Sequence, residues 1–140
     1  MAKKKVFVSF DYENDKKYKY LLEAWDASKN FDFSFDDVTS GEINSNNIGR
    51  IKAALVVCIN EATHTLVIIG KEANKKHKNS DLIGYRNWIN FEIAKSKLNK
   101  NKLVAVKIDS GNESPDELSG SGATWVSSFN EKDITAALEK

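Results

Sequence analysis

The sequence is poor in the residues that build several common kinds of site. Its 140 residues include one cysteine, Cys58, one proline and two histidines. A lone thiol excludes an intramolecular disulfide and a zinc site made from thiolates. Nothing else in the sequence supports metal ligation by His64 and His77, so we predict no metal site.

Neither sign of charge dominates, and long apolar runs are absent. The chain has 21 basic and 20 acidic residues and a formal net charge of +1. This balance gives no general electrostatic footprint for nucleic acid or for a membrane surface. No apolar run is long enough to cross a bilayer, and the basic start is not followed by a signal sequence. We therefore expect a cytoplasmic protein with no nucleic-acid or membrane partner.

Motifs of several nucleotide-handling classes are also missing. There is no Walker A sequence and no glycine fingerprint after the first predicted strand, since the glycine-rich segment at 120–122 comes too late. No nucleophile-elbow pattern supports a hydrolase triad. The third predicted strand has no acid at its end, which argues against a phosphorylated receiver domain.

Short apolar runs alternate along the chain with segments of helical periodicity. Strands are predicted at 6–10, 31–35, 65–69, 103–108 and 124–126. Helices are predicted after an N-cap at Asp15, at 48–62, from about Gly84 or Tyr85 onward, and at 134–138, with loops at 36–41, 71–81 and 110–122. This order predicts one α/β domain over 1–140, a flavodoxin-like three-layer fold with a parallel sheet of about five strands.

Polar residues follow the predicted strands at the points where those strands end. Asp11 follows the first strand, Asp36 the second and Lys71 the third. The carboxyl ends of parallel strands share one edge of a sheet, and ligands bind there where the strand order reverses. The turns that carry these residues and the start of the third helix should therefore meet at one rim.

A tryptophan and a glutamate lie four residues apart on the third predicted helix. Trp88 and Glu92 therefore point to the same side, at the edge of the inward stripe of Tyr85, Ile89 and Ile93, where a cleft wall would be, and Glu92 need not pack in the core. An aromatic plane beside a carboxylate can hold a flat ligand ring and stabilise positive charge that develops next to it. A core tryptophan beside a surface glutamate explains the same pattern.

Phe91 and Leu98 fall on nearly the opposite side of this helix and are predicted to face away from the core. Exposed apolar residues in register can mark a partner surface. We expect either self-association through this surface or its cover by the terminal helix or a loop.

Together these segments resemble TIR domains, in particular the TIR-like subunits of bacterial Thoeris anti-phage systems. The strand ending in Ser9 and Phe10, followed by Asp15, is similar to the opening of that family. Trp88 and Glu92 match its pattern of a tryptophan, three residues and a glutamate. The resemblance covers about the first 110 residues, and the loop at 36–42 departs from many animal members by lacking a proline.

The resemblance implies an enzyme that cleaves the bond between nicotinamide and ribose in NAD, with NAD as substrate and no cofactor. Glu92 would be the catalytic residue that stabilises the oxocarbenium-like cation, and Trp88 would stack on a ring. The other residues expected to contact NAD are Phe10, Asp11, Tyr12, Asp36 and Lys71.

The resemblance also implies partners. Thoeris-type relatives make an ADP-ribose-derived signalling nucleotide that a separate effector protein receives, and TIR enzymes commonly self-associate. Two other hypotheses stay open, namely a catalytically silent TIR-like interaction module and a nucleotide-binding sensor of flavodoxin-like fold.

Overall fold

The computed structural model describes residues 4–27, 32–36 and 46–140. The strands are β1 Lys4–Ser9, β2 Phe33–Asp36, β3 His64–Ile69, β4 Lys102–Lys107 and β5 Thr124–Val126. The helices are α1 Tyr12–Asp26, α2 Ile48–Glu61, α3 Ser80–Ile83, α4 Trp88–Leu98 and α5 Glu131–Glu139, with a 3₁₀ helix at Asp116–Leu118. In these ranges, no helix has the length and apolar character needed to cross a membrane.

The strands form one sheet in which every neighbouring pair is parallel, in the order β2-β1-β3-β4-β5. Ser9 of β1 pairs with Val67 of β3, and Ile69 of β3 pairs with Lys107 of β4. The order reverses between β1 and β3, so the switch point lies at the carboxyl ends of these two strands. The predicted α/β class and flavodoxin-like parallel sheet are confirmed.

Helices cover both faces of the sheet. Alternate residues of a strand point to opposite sides, so each face carries apolar side chains that pack against helices. Val6 and Val8 of β1 pack in a cluster with residues of α1 and α5. Phe7 packs with residues of α2 and α4, and Val67 packs with further residues of α4. Ser9 shares the alternation of Phe7 and therefore faces the side that α2 and α4 cover.

Two predicted helix starts are wrong because polar residues closer to the helices cap them. Asp11, not Asp15, is the N-cap of α1, and its Oδ1 accepts a backbone N–H two residues further on at 3.1 Å. Helix α4 begins at Trp88, since the side chain of Asn87 accepts the N–H of Asn90 at 2.9 Å. Each cap satisfies an N–H of the first turn that has no partner within the helix.

The region between β3 and α4 contains more structure than the predicted loop at 71–81. Helix α3 ends at Ile83 and is capped by Gly84, whose left-handed φ of 85° suits a residue without a β carbon. The chain can therefore turn there before α4 begins. Residue 31 of the second predicted strand and the predicted loop after Asp36 lie outside the described residues.

The predicted orientation of Phe91 away from the core is wrong. Its ring is 2% exposed and shares a cluster with Leu55 and Ile59 of α2. Helix α4 packs on both the sheet and α2, so residues on two of its sides are covered. Leu98, at the end of α4, is 74% exposed. The two residues therefore do not form one exposed surface.

Candidate functional site

The carboxyl group of Glu92 is buried at the carboxyl end of β1. It projects from α4, and the Oγ of Ser9 donates a hydrogen bond of 2.6 Å to its Oε1. Glu92 is 2% exposed and Ser9 is fully buried. The prediction that Glu92 need not pack in the core is therefore wrong, because α4 directs this side chain onto the end of the strand.

This burial changes the acidity of the carboxyl group. Loss of solvent raises the pKa of Glu92 from its ordinary value of 4.5 to about 8, and the hydrogen bond from Ser9 opposes the rise by favouring the carboxylate. The group is therefore mostly protonated at neutral pH in the unliganded chain. Acids with perturbed pKa values cluster at functional sites, which supports a role for Glu92 beyond packing.

The turns after β1 and β3 meet beside the switch point. Asn14 donates from Nδ2 to Asp11 Oδ2 at 2.6 Å and to Glu72 Oε2 at 2.7 Å. This asparagine joins the start of α1 to the turn after β3. The two turns therefore share one rim, as the sequence predicts.

Asp36 and Lys71 lie at the same edge of the sheet. Lys71 is exposed in the turn after β3. Asp36 is the last residue of β2 and pairs with Phe7, and its side chain lies outside the described part of the structure. Their contacts with a ligand stay predictions. Among the described residues, no three His, Cys, Asp or Glu side chains are grouped as a metal ion requires.

The residues directly after β1 point away from Glu92 or act locally. Phe10 is 4% exposed and packs in the cluster on the α1 and α5 side. Tyr12 is partly buried against the same cluster, with its ring centroid 6.4 Å from that of Phe10. Asp11 uses its carboxylate to cap α1. Core packing accounts for Phe10 and Tyr12, and helix capping accounts for Asp11. Contacts of these three residues with NAD stay predictions.

Trp88 lies one helical turn before Glu92 and is half-buried. Its ring packs edge-to-face on Phe91, with centroids 5.5 Å apart and an interplanar angle of 83°. This contact directs part of the indole toward α2, while part of the residue stays accessible. Trp88 therefore has a packing role, and its stacking on a ligand stays a prediction.

Asp15, predicted from the sequence only as a helix cap, is a second buried acid. It is 7% exposed, and its Oδ2 has no hydrogen-bond partner among the described residues. The carboxyl group lies against Gly70, where an added β carbon would stand 2.1 Å from Oδ2. Burial, followed by the nearby charge of Asp11, raises the pKa of Asp15 from 3.8 to about 6, although Lys17 opposes the rise.

We expect the Asp15→Asn variant to be more stable than the unaltered chain above pH 6, by about 1–2 kcal/mol. The acid titrates near pH 6 when folded and near 3.8 when unfolded. Between these values the folded chain binds more protons, so its stability falls as pH rises, and an amide removes this loss. Urea unfolding at about pH 4 and about pH 7 measures the difference, with the exposed Asp81→Asn as control. An advantage that does not grow with pH would contradict this account.

Buried asparagines, which were not predicted from the sequence as functional residues, hold the start of α4. Asn90 donates from Nδ2 to the Oδ1 atoms of Asn74 and Asn87, both at 3.0 Å. Its Oδ1 accepts the N–H of Glu117 at 2.9 Å, and Asn74 donates to Asp116 at 3.0 Å. The network ties α4 to the turn after β3 and to the 3₁₀ helix. It therefore fixes the helix that carries the buried acid.

The fold and site define a flavodoxin-like α/β domain with a buried acid beside the switch point of its sheet. The family described as "Thoeris protein ThsB, TIR-like domain" matches residues 7–113. The chain belongs to this family, and the resemblance noted in the sequence is confirmed.

A solved structure shares the fold over nearly the whole chain. It is the CMP N-glycosidase BcmB of Clostridium botulinum, with a TM-score of 0.60 and 14% sequence identity. The match covers 97% of this chain and 98% of that one. At this identity the likeness shows the fold alone. No curated protein matches the sequence.

Proposed function

We propose that the chain cleaves the N-glycosidic bond of a nucleotide, with NAD as substrate and Glu92 as catalytic residue. The observation that carries this proposal is the buried Glu92 carboxyl group at the end of β1, beside the switch point where ligands bind in such sheets. Membership of the ThsB family supports NAD as the nucleotide. The structural neighbour is an N-glycosidase, which supports the class of bond that is cleaved.

The chemistry of NAD suits an acid of this kind. The nicotinamide ring carries a positive charge at its glycosidic nitrogen, and a positive charge near Glu92 favours loss of the carboxyl proton. The carboxylate then stabilises the oxocarbenium-like cation that forms as the bond from ribose to nicotinamide breaks. Nicotinamide leaves as a neutral ring with the bonding electron pair. Water, or a nucleophile of the same nucleotide, then forms the new bond at the ribose carbon and gives up a proton.

The product and its use are part of the same proposal. An ADP-ribose-derived signal, received by a separate effector in cytoplasmic anti-phage defence, fits the family. Self-association would complete the site, as in other TIR enzymes. The surface for it is not the one predicted, because Phe91 is buried under α2.

Product analysis by mass spectrometry tests the proposal. The purified chain is incubated with NAD and separately with CMP, each with and without an extract of phage-infected cells. We expect nicotinamide and an ADP-ribose species from NAD and no cytosine from CMP. Release of cytosine alone would replace NAD with a nucleoside monophosphate as substrate. No release from either nucleotide by folded protein would favour the silent interaction module.

We expect Trp88→Ala to lower NAD turnover roughly tenfold to a hundredfold and Trp88→Phe to lower it less. Stacking of a base on an aromatic ring is worth about 1–3 kcal/mol, which corresponds to that range. Phe keeps a ring, whereas Ala removes the stacking partner and the contact with Phe91. Steady-state rates are compared at equal folded concentration. Equal and full activity in both variants would show that Trp88 only packs.

A further inference from the structure

Ser9 is a polar residue in an apolar part of the strand, and it is fully buried. Its backbone belongs to the sheet and pairs with Val67 of the central strand β3. The Oγ is therefore carried by one of the most constrained parts of the fold. Its partner is the Glu92 carboxyl group, at 2.6 Å, from a residue 83 positions further along the chain.

Of the charged side chains at this edge of the sheet and on α4, Asp15 lies against Gly70 with one buried carboxyl oxygen unpartnered among the described residues, and the following three are engaged by other groups. Asp11 caps α1, Glu72 accepts from Asn14, and the Nζ atom of Lys95 lies 5.5 Å from the centroid of the Phe91 ring. Burial and the Ser9 hydroxyl are the causes that shift the ionisation of Glu92. Among the described residues, Ser9 is therefore the side chain that donates a hydrogen bond to this carboxyl group.

We propose that Ser9 is a positioning residue, which fixes the orientation of the Glu92 carboxyl group and stabilises its carboxylate form. The hydroxyl donor holds one oxygen, Oε1. In our proposal the other oxygen, Oε2, is the one that faces a ligand. A hydrogen bond to an ionised group is stronger than one to its neutral form. The contact therefore tightens when Glu92 loses its proton. The kinetic part of this inference rests on the proposed function of Glu92.

The chain offers a matched control on the same helix. Ser96 is also fully buried, and its Oγ donates to the backbone carbonyl oxygen of Glu92 at 2.8 Å. Removing this hydroxyl deletes that hydrogen bond and a second buried one of 2.7 Å with Thr65 Oγ1, without touching the carboxyl group. Ser9→Ala and Ser96→Ala therefore separate an effect on the Glu92 carboxyl from a general effect of a lost buried hydroxyl.

The experiment is a ¹³C NMR titration of the Glu92 side-chain carboxyl carbon, assigned with Glu92→Gln. We expect Ser9→Ala to raise the titration midpoint by about one pH unit, because it removes a donor to the carboxylate. Ser96→Ala should leave the midpoint unchanged. Ser9→Cys keeps a weak donor and should give a smaller rise, and it serves as the test if Ser9→Ala does not fold. An unchanged midpoint in the Ser9 variants, or an equal rise in Ser96→Ala, would overturn the proposal.

Turnover supplies a second and separate readout. Where the unaltered chain cleaves NAD, we expect Ser9→Ala to lower kcat about tenfold with little change in KM, and to move the pH profile of kcat/KM upward with the NMR midpoint. A profile that stays in place would overturn the kinetic part. If the unaltered chain cleaves no nucleotide, the proposed function fails, and the titration still decides whether Ser9 controls the Glu92 carboxyl group.

Discussion

The Glu92→Gln variant is expected to cleave NAD about 10²–10³-fold more slowly than the unaltered chain. Gln keeps the shape of the side chain and can still accept the hydrogen bond from Ser9. It cannot become an anion when positive charge develops on the ribose, and this charge is the feature that the reaction requires. Rates are measured under activating conditions for both proteins side by side, with the exposed Glu23→Gln as control. If Glu92→Gln cleaves NAD at the rate of the unaltered chain, Glu92 is not the catalytic residue, and a silent interaction module is favoured.

The same variant should unfold at an equal or higher temperature at neutral pH. The Glu92 carboxyl group titrates near pH 8 in the folded chain, against 4.5 ordinarily, so the folded chain holds an extra proton between these values. Stability of the unaltered chain therefore falls as pH rises through this window. A neutral amide does not titrate, and its advantage in melting temperature should widen from pH 4.5 to pH 8. A variant that is less stable at every pH would mean that Gln disturbs the packing around Ser9.

Replacing Gly70 with Ala is expected to lower the free energy of unfolding by about 2–3 kcal/mol. The new β carbon would stand 2.1 and 2.5 Å from the two carboxyl oxygens of Asp15 and 2.6 Å from its Cγ. The short Asp15 side chain is buried and must leave its place. Urea unfolding of the purified variant measures the loss, with Gly111→Ala as control, because its nearest contact is 3.6 Å away.

A double-mutant cycle identifies the cause of this loss. In an Asp15→Ala background the obstructing carboxyl group is gone, so Gly70→Ala should cost much less there than in the unaltered chain. The coupling free energy between the two positions then equals most of the loss seen in the single Gly70 variant. Equal losses in both backgrounds would show that the backbone at Gly70, and not Asp15, resists the substitution.

Much of the fold follows from patterns within single segments. The apolar runs in β1, β3 and β4 and the helical spacing in α2 predict these elements, and their alternation predicts a parallel sheet. Helix starts are less predictable, because several neighbouring polar residues can serve as the cap. Asp11 and Asp15 are both acids after a strand, and only the backbone conformation at Asp11 shows which one caps α1.

The site could be predicted only in part, because its geometry depends on contacts between distant segments. Spacing identifies Trp88 and Glu92 as neighbours on a helix, yet it does not show that β1 and α2 cover two sides of that helix. Phe91 and Glu92 are buried for this reason. Ser9 could have been identified as a candidate site residue from the sequence, because it places a hydroxyl at the last position of a buried apolar strand.

The alternation of side chains along β1 links the accuracy of strand pairing to the presence of the site. Phe7 and Ser9 face α2 and α4, whereas Val6, Val8 and Phe10 face α1 and α5. A slip of one residue would exchange the two sets, because the side-chain period of a strand is two. Val8 or Phe10, depending on the direction of the slip, would then lie under Glu92, and the Ser9 hydroxyl would lie in the opposite core. Strands β2 and β3 pair with β1 on its two sides and fix its register. The same pairing that stabilises the centre of the sheet therefore also determines that Ser9 lies beside Glu92.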